Sequence, residues 1–381
     1  MTTHKIRLGV IGANPNVGWA PRAHLPALVA SPDVELTAVC TTRPESAAAS
    51  AHKYGARMAF HDYRAMLACP DIDAVAVVLR VPSHYEPTRA AIEAGKHVFT
   101  EWPLGKTTAE AEELTALAQQ KGVQTCVGLQ ARSAPAVLYM QELINNGYVG
   151  EVLACHMSLL RDGVLQRTSD RTWQRDATLG ANTLTIASGH AIDAMRFIVG
   201  EVQDLSAVVS TQVPQWLEVD TQRLVDVTAP DNILVSGHLA SGAVASIHVA
   251  SLPWAASGYR MEIYGREGTL VASGEDSPQL GTIQLHGTRA NGRLEPLTIP
   301  PHHRFVPDTM PQGAPYNVGQ LYALFAKAIR TGDVSPSYAT FETAVDLHRL
   351  IDAISAASAQ GQQVRVPGSA TAVRPGTHAQ A

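Results

Sequence analysis

The chain has 381 residues, 45% of them hydrophobic and 17% charged, which is enough to bury a sizeable core and predicts about two domains. Its formal net charge of −5 at pH 7 disfavours a basic nucleic-acid-binding surface, so any effect on transcription would need a protein partner. The sequence contains no apolar run of about 18 residues, and we expect no membrane span.

The N-terminal segment predicts one βαβ unit. An apolar run over Ile6–Ile11 ends in a glycine-containing turn, which is followed by a helix over residues 20–30 and a strand over Val34–Cys40. A segment of this kind can hold a dinucleotide or serve only as a packing turn between a strand and a helix, and both readings stay open at this point.

A dinucleotide site needs a backbone that approaches a pyrophosphate closely at a helix N-terminus. Gly12 and Gly18 supply the conformational freedom that this close approach requires, and Trp19 follows Gly18 directly. Asn14 stands where the second glycine of a GxGxxG turn normally lies, and the loop between the glycines carries extra residues. We therefore expect these four residues to contact a cofactor.

The end of the second strand predicts which dinucleotide binds. An NAD-preferring site places Asp or Glu about 20 residues after the glycines. Here the strand ends in Thr41, Thr42 and Arg43 without a carboxylate. Two hydroxyls and a guanidinium suit a 2′-phosphate, so the sequence favours NADP, with NAD as the alternative. A solvent-exposed arginine without a ligand is the other reading of Arg43.

Apolar runs and helical segments continue to alternate up to about residue 130, and they predict an α/β fold with an open, doubly wound parallel sheet. In such sheets ligands bind beyond the carboxyl ends of the strands. Arg80, Pro82 and His84 follow the strand predicted over residues 74–79, and Glu101 and Trp102 follow the next, over His97–Thr100. We expect these side chains to face a pocket.

The pattern changes after residue 130, where longer strands are separated by turn pairs typical of antiparallel hairpins. A helix predicted over residues 183–198 interrupts them, and two helices, over residues 317–331 and 338–360, follow. We predict a dinucleotide-binding domain over residues 1–130 and a substrate and oligomerisation domain over residues 131–367. The last helices are expected to pack back on the first domain, and residues 368–381 to form a disordered tail.

Several motifs together resemble the glucose–fructose oxidoreductase, inositol dehydrogenase and rhizopine-catabolism (Gfo/Idh/MocA) family. They are Gly9-Val10-Ile11-Gly12, Ala94-Gly95-Lys96-His97-Val98, Glu101-x-Pro103, Gly147-Tyr148-Val149-Gly150-Glu151 and Gly189-His190-Ala191-Ile192-Asp193. Further details resemble the branch of the family that contains a fungal galactose-regulon repressor. These are Gly18-Trp19-Ala20, Ser83-His84-Tyr85-Glu86, Glu101-Trp102, Gly122-Val123-Gln124-Thr125 and Leu129-Gln130-x-Arg132.

The resemblance implies a Rossmann domain followed by an α/β domain with a large, mostly antiparallel open sheet that supports homodimers or homotetramers. It implies a nicotinamide cofactor lying over Gly12, residues 80–84, Glu101 and Gln130, and a cis peptide bond before Pro103. It also implies hydride transfer to or from a sugar, a polyol or a related hydroxy compound. A catalytically silent dinucleotide-binding regulator that acts through a protein partner is the alternative.

The resemblance places His190 as the acid/base residue and puts substrate contacts at Trp102, Arg132, Trp173 and Asp193. Three of these have structural readings as well: Arg132 could pair with Glu101, Asp193 could serve packing, and Trp102 could be filler rather than a stacking surface.

Two departures from the family weaken the case for chemistry. The family's dehydrogenases usually carry Lys where this chain has Trp102, and Asp where it has Ile186. Trp102 cannot accept a proton because its indole N–H only donates. An imidazole that titrates near neutrality could still act alone as acid/base at His190.

The remaining polar candidates predict no further site. His302 and His303 resemble a metal-binding tract, but no carboxylate or further histidine is spaced near them in the sequence, so no metal site is expected. The cysteines lack CxxC spacing and predict reduced thiols in a cytoplasmic protein.

Overall fold

The computed structural model describes residues 4–290 and 292–368. The tail predicted to be disordered lies outside these residues, apart from its first residue. Within the described ranges, none of the helices combines the length and the apolar character that crossing a bilayer requires.

The N-terminal part is a six-stranded parallel sheet with the strand order 3-2-1-4-5-6, the order of a dinucleotide-binding fold. Its strands are β1 (Ile6–Ile11), β2 (Val34–Cys40), β3 (Met58–Phe60), β4 (Ala74–Val77), β5 (His97–Thr100) and β6 (Thr125–Val127). The connecting helices are α1 (Leu25–Ala30), α2 (Pro44–Tyr54), α3 (Tyr63–Leu67), α4 (Tyr85–Glu93) and α5 (Thr108–Lys121). A π-helical turn (Ala20–His24) leads into α1. The doubly wound sheet predicted from the sequence is confirmed.

The second part begins with α6 (Pro135–Asn145) and contains α7 (Gly189–Val199), which a π-helical turn (Thr183–Ser188) precedes. Its strands are β7 (Val152–Arg161), β8 (Gln166–Arg167), β9 (Val202–Ser210), β10 (Gln215–Glu218), β11 (Arg223–Asp226), β12 (Asn232–Leu239), β13 (Val244–Ser251), β14 (Gly258–Gly265), β15 (Gly268–Gly274), β16 (Gln284–Arg289), β17 (Glu295–Pro296) and β18 (Val364–Arg365).

Nine of these strands form one sheet with the order β17-β16-β15-β14-β7-β13-β12-β9-β18. Only β7 and β13 are parallel neighbours, so the predicted large, mostly antiparallel sheet is confirmed. A separate small sheet of β8, β10 and β11 was not predicted. These short strands lack an apolar alternation; in β11 only Val225 is buried.

The last two helices, α8 (Ala314–Thr331) and α9 (Phe341–Gln360), pack against the N-terminal part. Tyr322 and Phe325 of α8 lie in one hydrophobic cluster with Phe99 of β5, and the rings of Tyr322 and Phe99 are 5.1 Å apart. On α9, Arg349 forms a 2.7 Å ion pair with Glu112 of α5. The boundary near residue 130 stays a prediction, because the chain crosses back over it.

Candidate functional site

The carboxyl edge of the parallel sheet begins with the glycine turn after β1. Gly12 has a φ of +91°, and a Cβ there would lie 2.2 Å from the carbonyl oxygen of Val78, so only glycine fits. Gly18 has a φ of +93° and no atom within 4 Å of the position a Cβ would occupy. The backbone is therefore open to an approaching ligand at Gly18, whereas Gly12 is fixed by the neighbouring strand.

The loop between the glycines is held by its own polar groups. The side-chain oxygen of Asn14 accepts hydrogen bonds from the backbone N–H groups of Asn16 and Val17. Lys53 of α2, which sequence reasoning missed, donates a 2.8 Å hydrogen bond to the carbonyl of Pro15. Asn14 thus shapes the turn instead of presenting a free amide oxygen.

Two predicted cofactor residues carry buried polar atoms without a hydrogen-bond partner. They are the indole nitrogen of Trp19 and the side-chain oxygen of Gln130. A buried polar atom that is left unpaired costs stability unless a ligand or water satisfies it. Together with the open backbone at Gly18, this unpaired donor and acceptor fit the polar groups of a dinucleotide.

The turn after β2 places Thr42 and Arg43 on the surface, where their side chains are exposed. The hydroxyl of Thr41 is already used, because it donates to the carbonyl of Arg43 and lies 2.6 Å from the hydroxyl of Ser46. Arg43 is therefore the group in this turn with a free charge to offer to a ligand.

Two predicted residues from different parts of the chain meet beyond β4. The guanidinium of Arg80 stacks on the ring of Trp173, 5.4 Å from its centroid, and donates a 2.7 Å hydrogen bond to the carbonyl of Asp170. The loop that carries Trp173 thus closes over the Rossmann edge, as a substrate-side loop would.

Both ring nitrogens of His84 contact backbone carbonyl oxygens. Its Nδ1 lies 2.7 Å from the carbonyl oxygen of Pro103 and its Nε2 lies 3.0 Å from that of Leu79. The ring is buried, and burial lowers its pKa. With neither nitrogen free, the His84 side chain fixes the loop that contains Pro82 against the loop after β5, and it is not a direct cofactor ligand by its ring.

Glu101 belongs to a buried chain of three polar side chains whose other members the sequence did not reveal. Its Oε1 lies 2.8 Å from Nε2 of His24, and Nδ1 of His24 lies 2.7 Å from the hydroxyl of Tyr322 on α8. A neutral imidazole can satisfy both neighbours by donating to the carboxylate and accepting from the phenol. This row of three polar side chains joins the cofactor edge to the π-helical turn before α1 and to α8.

Trp102 was predicted to be a stacking surface for substrate, and the structure contradicts this. The residue is 4% exposed, and its indole N–H donates a 2.8 Å hydrogen bond to the carbonyl of Thr185. The ring packs against His348 of α9 and under Gly189, where a Cβ would lie 2.4 Å from the indole nitrogen. The predicted cis peptide bond between Trp102 and Pro103 is confirmed.

Arg132 and Asp193 were predicted to contact substrate, with a pair between Arg132 and Glu101 as the alternative. Instead Arg132 forms two 2.7 Å hydrogen bonds to the carboxylate of Asp193, which is completely buried. Burial alone would lower the pKa of Arg132, but attraction to Asp193 outweighs it and the net pKa is raised. The two groups are paired with each other inside the protein, so neither is free to bind a substrate.

His190 lies on α7 one turn before Asp193 and is 5% exposed. Its Nδ1 is buried without a hydrogen-bond partner. Burial lowers the pKa of His190 to about 4, against the smaller opposing pull of Glu101 and Asp193. The sequence predicted an imidazole that titrates near neutrality, whereas burial keeps this ring neutral at pH 7, so it can accept a proton but is not an imidazolium acid.

A surface cavity lies away from these residues. It has a volume of about 230 Å³ and lies between α6 and α8, lined by residues such as Pro135, Ile283 and Tyr316. None of the predicted site residues lines it. The predicted site is identified by its backbone turns and its unpaired polar atoms, and not by cavity size.

Two models of known protein families match successive parts of the chain. Residues 6–129 match a model described as the Gfo/Idh/MocA oxidoreductase family with an NAD-binding Rossmann fold. Residues 135–274 match a model described as the C-terminal domain of Gal80p.

Among individual proteins, a dehydrogenase of Aspergillus oryzae, aclE, is 38% identical over 57% of this chain and 61% of its own length. Levoglucosan dehydrogenase of Pseudarthrobacter phenanthrenivorans is 28% identical over 95% of this chain and 98% of its own length. The galactose/lactose metabolism regulatory protein GAL80 of Saccharomyces cerevisiae is 26% identical over 75% of this chain and 71% of its own length.

Solved structures give the same two kinds of neighbour. A super-repressor mutant of Gal80p from Saccharomyces cerevisiae superimposes with a TM-score of 0.84 and 22% identity, covering 96% of this chain and 99% of the other, which shows a shared fold. Levoglucosan dehydrogenase in complex with NADH and levoglucosan superimposes with a TM-score of 0.82 and 25% identity, covering 96% of this chain and 100% of the other.

Proposed function

The chain joins a Gfo/Idh/MocA oxidoreductase domain to a Gal80-like C-terminal domain, and from this premise we propose that it is a nicotinamide-dependent oxidoreductase. Its substrate would be a sugar, a polyol or a related hydroxy compound. The main support for the proposal is the state of His190. Its imidazole is buried and neutral, and one ring nitrogen has no hydrogen-bond partner.

The neutral state of His190 gives it the role of proton acceptor in the oxidation of an alcohol. A nicotinamide dinucleotide bound at this edge would supply the acceptor for the hydride of the carbon that bears the hydroxyl. The unprotonated nitrogen of His190 takes the hydroxyl proton, so a C–H and an O–H bond break and a carbonyl forms. With a pKa of about 4, His190 is unprotonated at pH 7, so its unpaired nitrogen is available to accept the proton.

The cofactor we propose is NADP, with NAD as the alternative. The support is the turn after β2, where Arg43 is exposed and the three residues Thr41, Thr42 and Arg43 contain no carboxylate to hold a ribose 2′-hydroxyl. Arginine meets a phosphate with two parallel hydrogen bonds. The levoglucosan dehydrogenase complex contains NADH, so a titration with both dinucleotides must decide.

The substrate is proposed to lie between His190 and the loop that carries Trp173. Arg80 holds that loop over the Rossmann edge through its contacts with Trp173 and Asp170. An indole in this position suits the apolar face of a sugar ring. The relatives named for levoglucosan and for galactose metabolism support a carbohydrate-like ligand.

A catalytically silent regulator is the second candidate, and Trp102 favours it. The indole occupies the position of the usual proton-handling lysine and is buried against Gly189, so no other group can take that role there. Such a protein would bind the dinucleotide without turnover and act through a protein partner, as expected for a relative of a regulatory protein.

We also propose a homo-oligomer, a dimer or a tetramer, formed through the outer face of the nine-stranded sheet. Four large apolar side chains at outward-facing positions of this sheet are exposed: Val208, Leu234, Val244 and Tyr264. Val208 and Leu234 are paired neighbours on β9 and β12. If V208D/L234D eluted at the same size as an oligomeric wild type from a calibrated size-exclusion column, this interface would be wrong.

The four free cysteines support the proposed cytoplasmic location, which fractionation of source cells would test.

The function is tested by following reduced-nicotinamide absorbance while purified protein is mixed with NADP or NAD and a panel of sugars and polyols. Dinucleotide binding measured in the same samples separates an enzyme that lacks its substrate from a chain that binds no cofactor.

A further inference from the structure

A cluster of metal-ligating side chains lies outside the proposed active site. The sequence offered His302 and His303 but no partner, and no metal site was expected. The fold supplies a partner that the sequence spacing did not reveal, because it brings the carboxylate of Glu142 to the two imidazoles from 160 residues away. We propose that Glu142, His302 and His303 bind a divalent transition-metal ion, Zn²⁺ being the probe of choice.

The geometry is close to that of a metal site. Glu142 is on α6, and both histidines are in the 3₁₀ turn Pro301–His303. Oε2 of Glu142 lies 2.8 Å from Nε2 of His302 and 3.1 Å from Nε2 of His303. Ligands of a tetrahedral Zn²⁺ site with bonds of about 2.0 Å are about 3.3 Å apart. Both oxygen–nitrogen distances are within about 0.5 Å of this value, and all three ligand atoms lie within 4.8 Å of one another.

His303 supplies a second and independent indication. It is 7% exposed, and its Nε2 is buried without a hydrogen-bond partner although it is aimed at the carboxylate. The 3.1 Å contact with Glu142 is an ion-pair distance without hydrogen-bond geometry, so it leaves this nitrogen unsatisfied. A cation between the three side chains would satisfy it.

The donor set and its exposure define the ion. Two imidazole nitrogens and one carboxylate oxygen suit borderline cations such as Zn²⁺, and not Ca²⁺ or Mg²⁺, which require oxygen donors. The His302 side chain is 61% exposed, so the ion can enter from solvent and water can complete its coordination.

The site would act as a structural clamp near the cofactor edge. The side-chain amide of Gln320 on α8 donates to the carbonyl of His303 at 2.8 Å and to that of Ser133 at 3.0 Å. Ser133 ends the turn that carries Gln130 and Arg132. An ion that fixes His303 to α6 would therefore stiffen this turn through Gln320.

The test uses the full chain without an affinity tag, titrated with ZnSO₄ by calorimetry and with CoCl₂ by visible absorption. We expect one high-affinity site per chain, a tetrahedral cobalt spectrum and a thermal midpoint raised by on the order of a few degrees. E142Q and H302Q should each weaken Zn²⁺ binding by at least about tenfold. H52Q, which replaces an exposed histidine elsewhere, should bind like wild type.

Absence of Zn²⁺ binding to wild type, or equal binding by wild type, E142Q and H302Q, would overturn the proposal. Because His302 is exposed, H302Q is expected to fold, and its circular dichroism and metal-free thermal midpoint verify this. The readouts are binding and stability, so the result does not depend on the proposed oxidoreductase activity.

Discussion

The guanidinium of Arg132 donates two hydrogen bonds of 2.7 Å to the carboxylate of Asp193, and thereby joins the turn after β6 to helix α7. His190 lies one helical turn before Asp193 on α7. The buried pair therefore fixes the position of the proposed base relative to the cofactor edge, although neither member of the pair is free to contact a substrate.

Asp193→Ala is expected to lower the free energy of unfolding by about 3–5 kcal/mol, because it leaves the Arg132 charge buried without a partner. Urea unfolding measures the loss. Glu112→Gln is the matched control, since it breaks the exposed pair with Arg349 and should cost at most about 1 kcal/mol. Equal effects of the two substitutions would contradict the assignment of Arg132 and Asp193 to a structural bridge.

Trp102→Phe keeps a ring in the packing between α7 and α9 but removes the N–H that donates to Thr185. We expect a stability loss of about 1–3 kcal/mol, the cost of an unsatisfied buried carbonyl, with KM for the true substrate unchanged. Denaturant unfolding and steady-state kinetics check the two parts. A large rise in KM with little loss of stability would restore the role of Trp102 as a substrate-stacking surface.

The pH dependence of kcat/KM follows from the depressed pKa of His190, which burial lowers to about 4. The base works when it is deprotonated, so the acid limb of alcohol oxidation should fall near pH 4 and not near 6.5. Between pH 5.5 and 8 the activity should not depend on this group. An acid limb near pH 6.5 that disappears in His190→Gln would show that the imidazole titrates normally.

Arg43→Ala should weaken NADP binding by on the order of 10- to 100-fold, because it removes a charge-assisted contact with the 2′-phosphate, while NAD binding stays unchanged. Fluorescence titration with both dinucleotides measures the ratio. Arg89→Ala on α4, an exposed arginine away from the cofactor edge, is the control. Tighter binding of NAD than NADP by wild type would exclude the NADP preference.

The sequence predicted the Rossmann sheet and the large second sheet because their strands are apolar runs bounded by turn residues. β12 and β13, for example, are eight residues long each and are separated by the turn pair Ser241-Gly242. The small sheet of β8, β10 and β11 escaped prediction because its strands are two to four residues long and mostly polar.

The site was predicted less well, because its decisive contacts join residues distant in the chain. Trp102 is buried by Gly189 and His348, and its indole donates across 83 positions to Thr185. Glu101 reaches His24 across 77 positions. No local sequence pattern encodes such pairs. The sequence therefore predicted that residues after a strand would contact a ligand, whereas in the structure other helices cover them.

The central claim is that His190 serves as the base in a nicotinamide-dependent alcohol oxidation. Its most direct test follows reduced-nicotinamide absorbance while wild type and His190→Gln are mixed with NADP and a broad panel of sugars and polyols. We predict turnover of at least one substrate by wild type and a kcat lower by about 10²–10⁴-fold in His190→Gln, with cofactor binding retained. Cofactor binding without turnover across the panel, or equal turnover by the two proteins, would contradict this account.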